Sequence, residues 1–347
     1  MTQPTVTQPT VTQPAEASGP RGIVDLARAG DLHGILVAAR AGAGVGLTFT
    51  TTGPAHEPLV IKVGATPAAR PSLEAEGRML VELRRMPLGQ LGRTVPRYVR
   101  TASVGDRPAL VATALPGTPM SIGYRSWHHT ARPTPVRRDF QLAGAWLREL
   151  QDVSARRHES AGWTAEVIDA LGGRWDGHPL LDPALARLAA PREHLGGRPV
   201  VDTVVHGDFW VGNILVGEGG ITGVVGWKSG KVAGCPLSDL TRFALGYCFD
   251  LDRTARPGAR VPGHPGLRRV GFAPGIRFAL LGRGWLSREV RRFLGDGLQG
   301  LGLPRWLWYD AALTGIGELA VSVPGDLGVG YLELLASMPI RPGPGIQ

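Results

Sequence analysis

The stretch VVHGDFWVGNILV, residues 204–216, sets a polar loop between two β-like apolar runs, TVV and ILV. Inside it, His206, Asp208 and Asn213 fit the spacing H-x-D-x-x-x-x-N. An aspartate held in such a loop can orient an attacking hydroxyl and accept its proton. An asparagine five residues later can turn its amide oxygen toward magnesium, a hard cation that takes oxygen ligands. The competing reading is a plain turn in which His206 and Asp208 only bond the backbone.

The chain around this loop changes character along its length. Its opening, MTQPTVTQPTVTQPAEASGP, repeats Thr-Gln-Pro three times and has too few apolar side chains to bury a core, so residues 1–20 are expected to be a disordered tail. A short helix is expected in IVDLARAGDL. The runs GILVAAR, LTFTTT and PLVIKVG then read as an antiparallel meander, with the glycine-rich turn AGAGVG after the first. SLEAEGRMLVELRRM reads as a helix with Leu73, Met79, Leu80 and Leu83 on one stripe and Ser72 as its N-cap. TVPRYVRTASV and PALVATALPG read as two further strands. Beyond Gly117 the pattern turns helical, in RRDFQLAGAWLRELQDVS, DPALARLAAPREHL and most of 238–340. The expected fold class is therefore α+β, with a small antiparallel-sheet lobe followed by a large, mainly helical lobe.

Composition narrows the function classes. The formal net charge is +9, yet only three of the 38 basic residues are lysine: Lys62, Lys228 and Lys231. The arginine pairs are dispersed, so the charge welcomes an anionic ligand without marking a nucleic-acid surface. Two cysteines, Cys235 and Cys248, form no CxxC or Cys/His cluster, which argues against a disulfide framework or structural zinc. No apolar run is long enough to span a membrane, and no leader-like block opens the chain, so a cytoplasmic protein without a membrane partner is expected. The chain also lacks a G-x-x-x-x-G-K-[ST] phosphate loop and a G-x-S-x-G nucleophile elbow. Trp127 with His128 and His129 reads as surface. Trp285, Trp306, Trp308 and Tyr309 either line an acceptor pocket or fill the core.

The stretch 204–240 resembles the aminoglycoside phosphotransferase/choline kinase-like family, relatives of protein kinases. The resemblance runs without gaps through His206-Gly207-Asp208, Gly212-Asn213, ILV, GVVGWKSG, Gly234-Cys235-Pro236 and Asp239-Leu240. It implies a two-lobed protein-kinase-like fold, with an N-terminal nucleotide-binding lobe over 21–115, a C-terminal catalytic-loop and acceptor lobe over 116–340, and a tail at 341–347. It implies ATP and Mg2+, and an unidentified hydroxyl-bearing acceptor, a small molecule or a peptide. Asp208 would be the base, Asn213 a metal ligand, and His206 and Asp239 structural supports of the loop. Lys62 would contact the nucleotide phosphates and Glu76 would pair with it; Glu74 is the rival partner, and both lysine and glutamate also read as solvated residues. Gly42, Gly44 and Gly46 of AGAGVG would cover the phosphates, or form a plain turn. The backbone from Ala112 through Thr113 to Leu115 would face the adenine ring.

One position departs from the family pattern. Thirteen residues after Asn213, where the pattern keeps a metal-binding aspartate, stands Gly226, and the usual glutamate two residues on is Lys228. Three readings follow. The protein transfers phosphate, poorly or with an unusual metal arrangement, with Asp208 and Asn213 carrying the step and Lys228 standing in for part of the missing positive charge. Alternatively it is a pseudokinase-like binder of nucleotide or substrate that works through recognition or a protein partner. In the third, the loop is structural and the helical lobe is the working surface.

Overall fold

The computed structural model describes residues 35–39, 45–52, 56–126, 128–156, 159–160 and 162–340. The Thr-Gln-Pro tail, the helix expected in IVDLARAGDL, Gly42, Gly44, Trp127 and residues 341–347 lie outside the described residues.

The first lobe is one antiparallel sheet. Strands β1 (Ile35–Ala39), β2 (Val45–Thr52), β3 (Pro58–Gly64), β4 (Tyr98–Val104) and β5 (Arg107–Thr113) are ordered β1-β2-β3-β5-β4. Helix α1 (Arg70–Arg85) connects β3 to β4 and buries Leu73, Met79, Leu80 and Leu83. Those residues recur at helix spacing, so one stripe faces the sheet and the helical lobe. Contact with the sheet is tight at Gly77, where a Cβ would stand 3.2 Å from the Tyr98 ring and 3.5 Å from Leu110. The helix begins two residues before Ser72, with Pro71 in its first turn and no side-chain cap. A proline suits that turn because its missing N–H has no partner there anyway. Ser72 is thus inside the helix, which corrects the expected N-cap.

The second lobe is mainly helical: α2 (Met120–Tyr124), α3 (Pro133–Ser154), α4 (Trp163–Trp175), α5 (Leu181–Gly196), α6 (Leu237–Phe249), α7 (Pro274–Leu281), α8 (Trp285–Gly300), α9 (Trp308–Ser322) and α10 (Asp326–Ala336). Helix α9 packs against α4, α5, α6 and α10. It buries Ala311, Ala312, Ile316 and Ala320, and Gly315 and Gly317 let neighbouring side chains come close. Helix α4 has no counterpart in the sequence reading; Gly172 and Gly173 near its end dilute its apolar stripe. Residues 250–273, between the runs LSDLTRFALGYCF and GIRFALLGR, hold only turns and one isolated bridge, Arg260–Arg268. The run ARPGARVPGHPG explains this, since proline removes helix donors and glycine raises the entropy cost of ordering.

Among the described residues, seven short strands complete the fold: β6 (Thr118–Pro119), β7 (Glu159–Ser160), β8 (Val200–Val201), β9 (Thr203–Val205), β10 (Ile214–Gly217), β11 (Gly220–Val224) and β12 (Lys231–Gly234). β10 and β11 form a hairpin with β6 at its side, and β9 pairs antiparallel with β12. These pieces carry the polar loop of 206–213 to the junction of the two lobes. There the turn Trp227–Ser229 packs on α1, and a Cβ at Gly230 would lie 2.8 Å from Met79. One large apolar cluster runs from α1 through the helical lobe, and a small one, Val63, Val104 and Ala109, lies within the sheet.

Candidate active site

The loop geometry starts from Asp239, in the first turn of α6. Its two carboxylate oxygens accept the backbone N–H groups of His206 (2.5 Å) and Gly207 (2.9 Å). Burial pushes this carboxyl up to about 7, against the pull of those two donors and of Arg242. Gly207 has φ +74, and a Cβ there would stand 2.2 Å from the Ser229 carbonyl oxygen, so the position requires glycine.

His206 is buried and its ring is fixed from both sides. Nε2 lies 3.0 Å from the Val225 carbonyl oxygen, and Nδ1 accepts the Asp208 N–H at 3.1 Å. Only the neutral ring with its proton on Nε2 satisfies both bonds. Burial lowers the ring to about 3, and the positive charges of Lys62 and Arg242 push the same way. His206 therefore sets the backbone of Asp208 and keeps no proton to trade at neutral pH.

Asp208 is 30% exposed in its side chain. Asn213 Nδ2 donates to the Asp208 carbonyl oxygen (2.8 Å) and to its Oδ2 (3.2 Å). The β10–β11 hairpin brings Asn213 opposite Gly226: Ile214 pairs with Val224, and the Val225 N–H donates to the Asn213 carbonyl at 2.9 Å. Thirteen residues of sequence thus become direct contact. Gly226 has φ +87, and a Cβ there would lie 3.0 Å from Asn213 Oδ1.

In the other lobe, Lys62 on β3 stands in register with Leu110 of β5, and its Nζ lies 2.5 Å from Glu76 Oε1 on α1. The side chains are 18% and 4% exposed. Glu74, the rival partner, is half-buried and lies 4.0 Å from Arg78. Gly46 sits within β2, where a Cβ would come 2.8 Å from Ala65 Cα; glycine there admits close backbone approach. Thr113 ends β5, its Oγ1 accepting the Arg97 N–H at 2.8 Å, and Leu115 packs over Gly223.

A cavity of 1050 Å3 opens beside Asp208 in the helical lobe. Gly207, Trp210, Lys228, Lys231, Arg242 and Ser322 line it with Asp208. So do four further carboxylates, Glu166, Asp202, Asp250 and Glu318. Burial, with Glu318, Asp202 and Glu166 nearby, pushes the Cys235 thiol up to about 12, which leaves it inert as a nucleophile at neutral pH. Trp285, Trp306, Trp308 and Tyr309 do not line this cavity; Trp285 stacks on His264, Trp306 meets His194 edge-on, and Tyr309 is core. Arg242 escaped the sequence reading. It stands one helical turn after Asp239, and that spacing was the available signal.

The sequence pattern of the Phosphotransferase enzyme family matches residues 40–272. The chain belongs to this family. No curated protein matches the sequence. Among solved structures, the macrolide 2'-phosphotransferase MphH from Brachybacterium faecium is 16% identical, covers 91% of this chain and 96% of its own, and has a TM-score of 0.50. The aminoglycoside phosphotransferase APH(4)-Ia is 12% identical, with 91% and 96% covered and a TM-score of 0.55. A thermostable mutant of that enzyme, in ternary complex with AMP-PNP and hygromycin B, is 10% identical, with 92% and 96% covered and a TM-score of 0.57. At these identities the likeness shows the fold, which is the two-lobed protein-kinase-like one. Among the described residues no helix is long and apolar enough to cross a membrane.

The Mg2+ that the family resemblance implies does not fit the residues of this site. Gly226 offers no donor atom, and Asn213 spends its Nδ2 on Asp208, leaving one amide oxygen turned toward the empty side of Gly226. Among the described residues no group of three or more His, Cys, Asp or Glu is placed to hold a metal. Lys228, two residues on, brings a positive charge where the family pattern has a negative one.

Proposed function

We propose that the protein transfers the γ-phosphoryl group of ATP to a hydroxyl of an acceptor bound in the cavity beside Asp208. The observation that carries this reading is the Asp208 carboxylate itself. It lines a 1050 Å3 cavity while His206 and Asn213 hold its backbone and side chain, and Asp239 fixes the two loop residues before it. Lys62, braced by Glu76, supplies a fixed cation for phosphate oxygens. The backbone at Ala112–Leu115 would face the adenine, and Lys228 would add positive charge from the cavity side.

In the step itself the acceptor oxygen forms a bond to Pγ as the bond between Pγ and the β–γ bridging oxygen breaks. The electron pair of that bond leaves with ADP. The hydroxyl proton passes to the Asp208 carboxylate and then to solvent. Solved relatives hold hygromycin B or streptomycin, which supports a hydroxyl-rich small molecule as the acceptor and leaves a peptide hydroxyl as the alternative. Neither nucleic acid nor a membrane enters the reading, and the cytoplasm is the expected setting.

Gly226 and Lys228 favour a second reading, a pseudokinase-like protein that binds nucleotide without turning it over and acts through a protein partner. Calorimetry with ATP, in Mg2+ and in EDTA, followed by ADP release across an acceptor panel, separates the two. The enzyme reading expects turnover that Asp208→Asn abolishes with ATP affinity intact. ATP binding without turnover of any acceptor supports the binder, and no ATP binding in either condition overturns both.

A further inference from the structure

Arg242 is a cation held at the mouth of the site with most of its hydrogen-bonding capacity unspent. Its side chain is 15% exposed, yet among the described residues its one hydrogen bond runs from Nη2 to Ser322 Oγ at 3.0 Å. Nη1 lies 3.7 Å from Asp208 Oδ1, near enough for attraction and too far for a hydrogen bond. A guanidinium carries five N–H donors in a planar fork that matches carboxylate and phosphate oxygens.

The neighbouring acids do not use this fork. Both oxygens of Asp239 are taken by backbone N–H groups, Glu318 accepts Ser238 Oγ at 2.6 Å, and Asp250 pairs with Arg253 at 3.5 Å. Two of the chain's three lysines, Lys228 and Lys231, line the same cavity, and among the described residues neither lies within 4.0 Å of a carboxylate. The cavity also carries Glu166, Asp202, Asp250 and Glu318, so its charge is mixed, and it is the largely buried guanidinium with open donors, with Lys228 and Lys231 lining the same cavity, that offers a local place for an oxyanion.

We infer that Arg242 anchors an oxyanion, a phosphate or carboxylate group, on the acceptor side of Asp208, with Lys228 and Lys231 adding to its field. The inference rests on the phosphotransferase reading of the cleft and deepens it: the oxyanion is either a substituent of the acceptor or the phosphoryl group in transit. In both cases Arg242 bridges the anion to Asp208, so that the hydroxyl to be deprotonated is held beside the base.

The test is calorimetric titration of the full chain with inorganic phosphate, first alone, then with saturating ADP, then with saturating AMP-PNP. The binding of each nucleotide is measured separately, so a failed nucleotide site shows up on its own. Phosphate is expected to bind the ADP-loaded protein, with affinity falling about tenfold to hundredfold in Arg242→Gln and less in Lys231→Ala, in keeping with charge-assisted hydrogen bonds. Arg242→Lys is expected to recover part of the loss. Binding that persists with AMP-PNP assigns the oxyanion to the acceptor's substituent; binding lost with AMP-PNP but kept with ADP assigns it to the group in transit. The inference is overturned if wild-type protein binds no phosphate. It is also overturned if binding is unchanged in Arg242→Gln, with circular dichroism confirming the fold, or is abolished by Lys62→Met alone.

Discussion

Gly226→Asp places a carboxylate where the family pattern keeps one, and the structure states both the cost and the return. The backbone at 226 is left-handed, φ +87 and ψ 41, a region that costs a side-chain-bearing residue about 1–2 kcal/mol, with aspartate among the better tolerated. The added Cβ would stand 3.0 Å from Asn213 Oδ1, so the amide must give by a few tenths of an ångström. The carboxylate then faces an amide oxygen with no cation between them, which adds repulsion. In EDTA the variant is expected to melt below the parent by about 1–2 °C for each kcal/mol lost. Millimolar Mg2+ is expected to restore part of that loss in the variant and nothing in the parent, because only the variant has paired oxygen donors for the ion. Thermal melts followed by circular dichroism, in Mg2+ and in EDTA, decide the matter. A variant that melts with the parent in EDTA would refute the strain argument, and one blind to Mg2+ would refute the view that Asn213 Oδ1 faces a latent metal position.

Removing the Lys62 charge by Lys62→Met leaves Glu76 buried without its counter-ion, at a cost of about 3 kcal/mol in urea unfolding; the double variant with Glu76→Gln is expected to recover most of it, and no recovery would contradict the pairing. His206 is held neutral with its pKa at about 3 against 6.5 unfolded, so the unfolded chain binds more protons between those values and the residue's contribution is lost as pH falls. Burial of Asp239, raised to about 7, acts in the opposite direction over much of that range, so the histidine is isolated by comparison with His206→Gln: the stability gap between parent and variant is expected to narrow by about 1.4 kcal/mol per unit as pH falls from 6 to 4, and a constant gap would refute the neutral, buried state of the ring. Gly207→Ala combines a left-handed backbone with a Cβ 2.2 Å from the Ser229 carbonyl, and is expected to lower the melting temperature and abolish turnover together; a silent Gly207→Ala would show that the loop relaxes freely.

The two-lobed order was legible because its signals are local. β-branched runs separated by glycine and proline turns became β2, β3, β4 and β5, and the stripe of Leu73, Met79, Leu80 and Leu83 became α1. The helix start was misplaced because Ser72 is a good cap in isolation, whereas Pro71 in the first turn and the preceding turn at Pro67–Ala69 moved the boundary to Arg70. The proximity of Asn213 and Gly226 was legible for a different reason: hairpin register converts fixed spacing into contact, so the two had to meet once β10 and β11 paired. Arg242 was not legible in that way. Its meaning depends on how α6 sits against α9, where Ser322 receives it, and on a cavity walled by elements more than 150 residues apart in the chain. The same geometry bears on the choice between enzyme and binder. A loop kept only as scaffold needs Asp239 and His206, since those two fix the backbone. It does not need an aspartate at 208 braced by Asn213, 3.7 Å from a guanidinium with open donors and facing a cavity. A scaffold loop gives no use to a carboxylate and a guanidinium set side by side at a cavity wall, whereas a hydroxyl-bearing ligand would. The arrangement around Asp208 is therefore what supports the proposed enzyme reading over the binder reading.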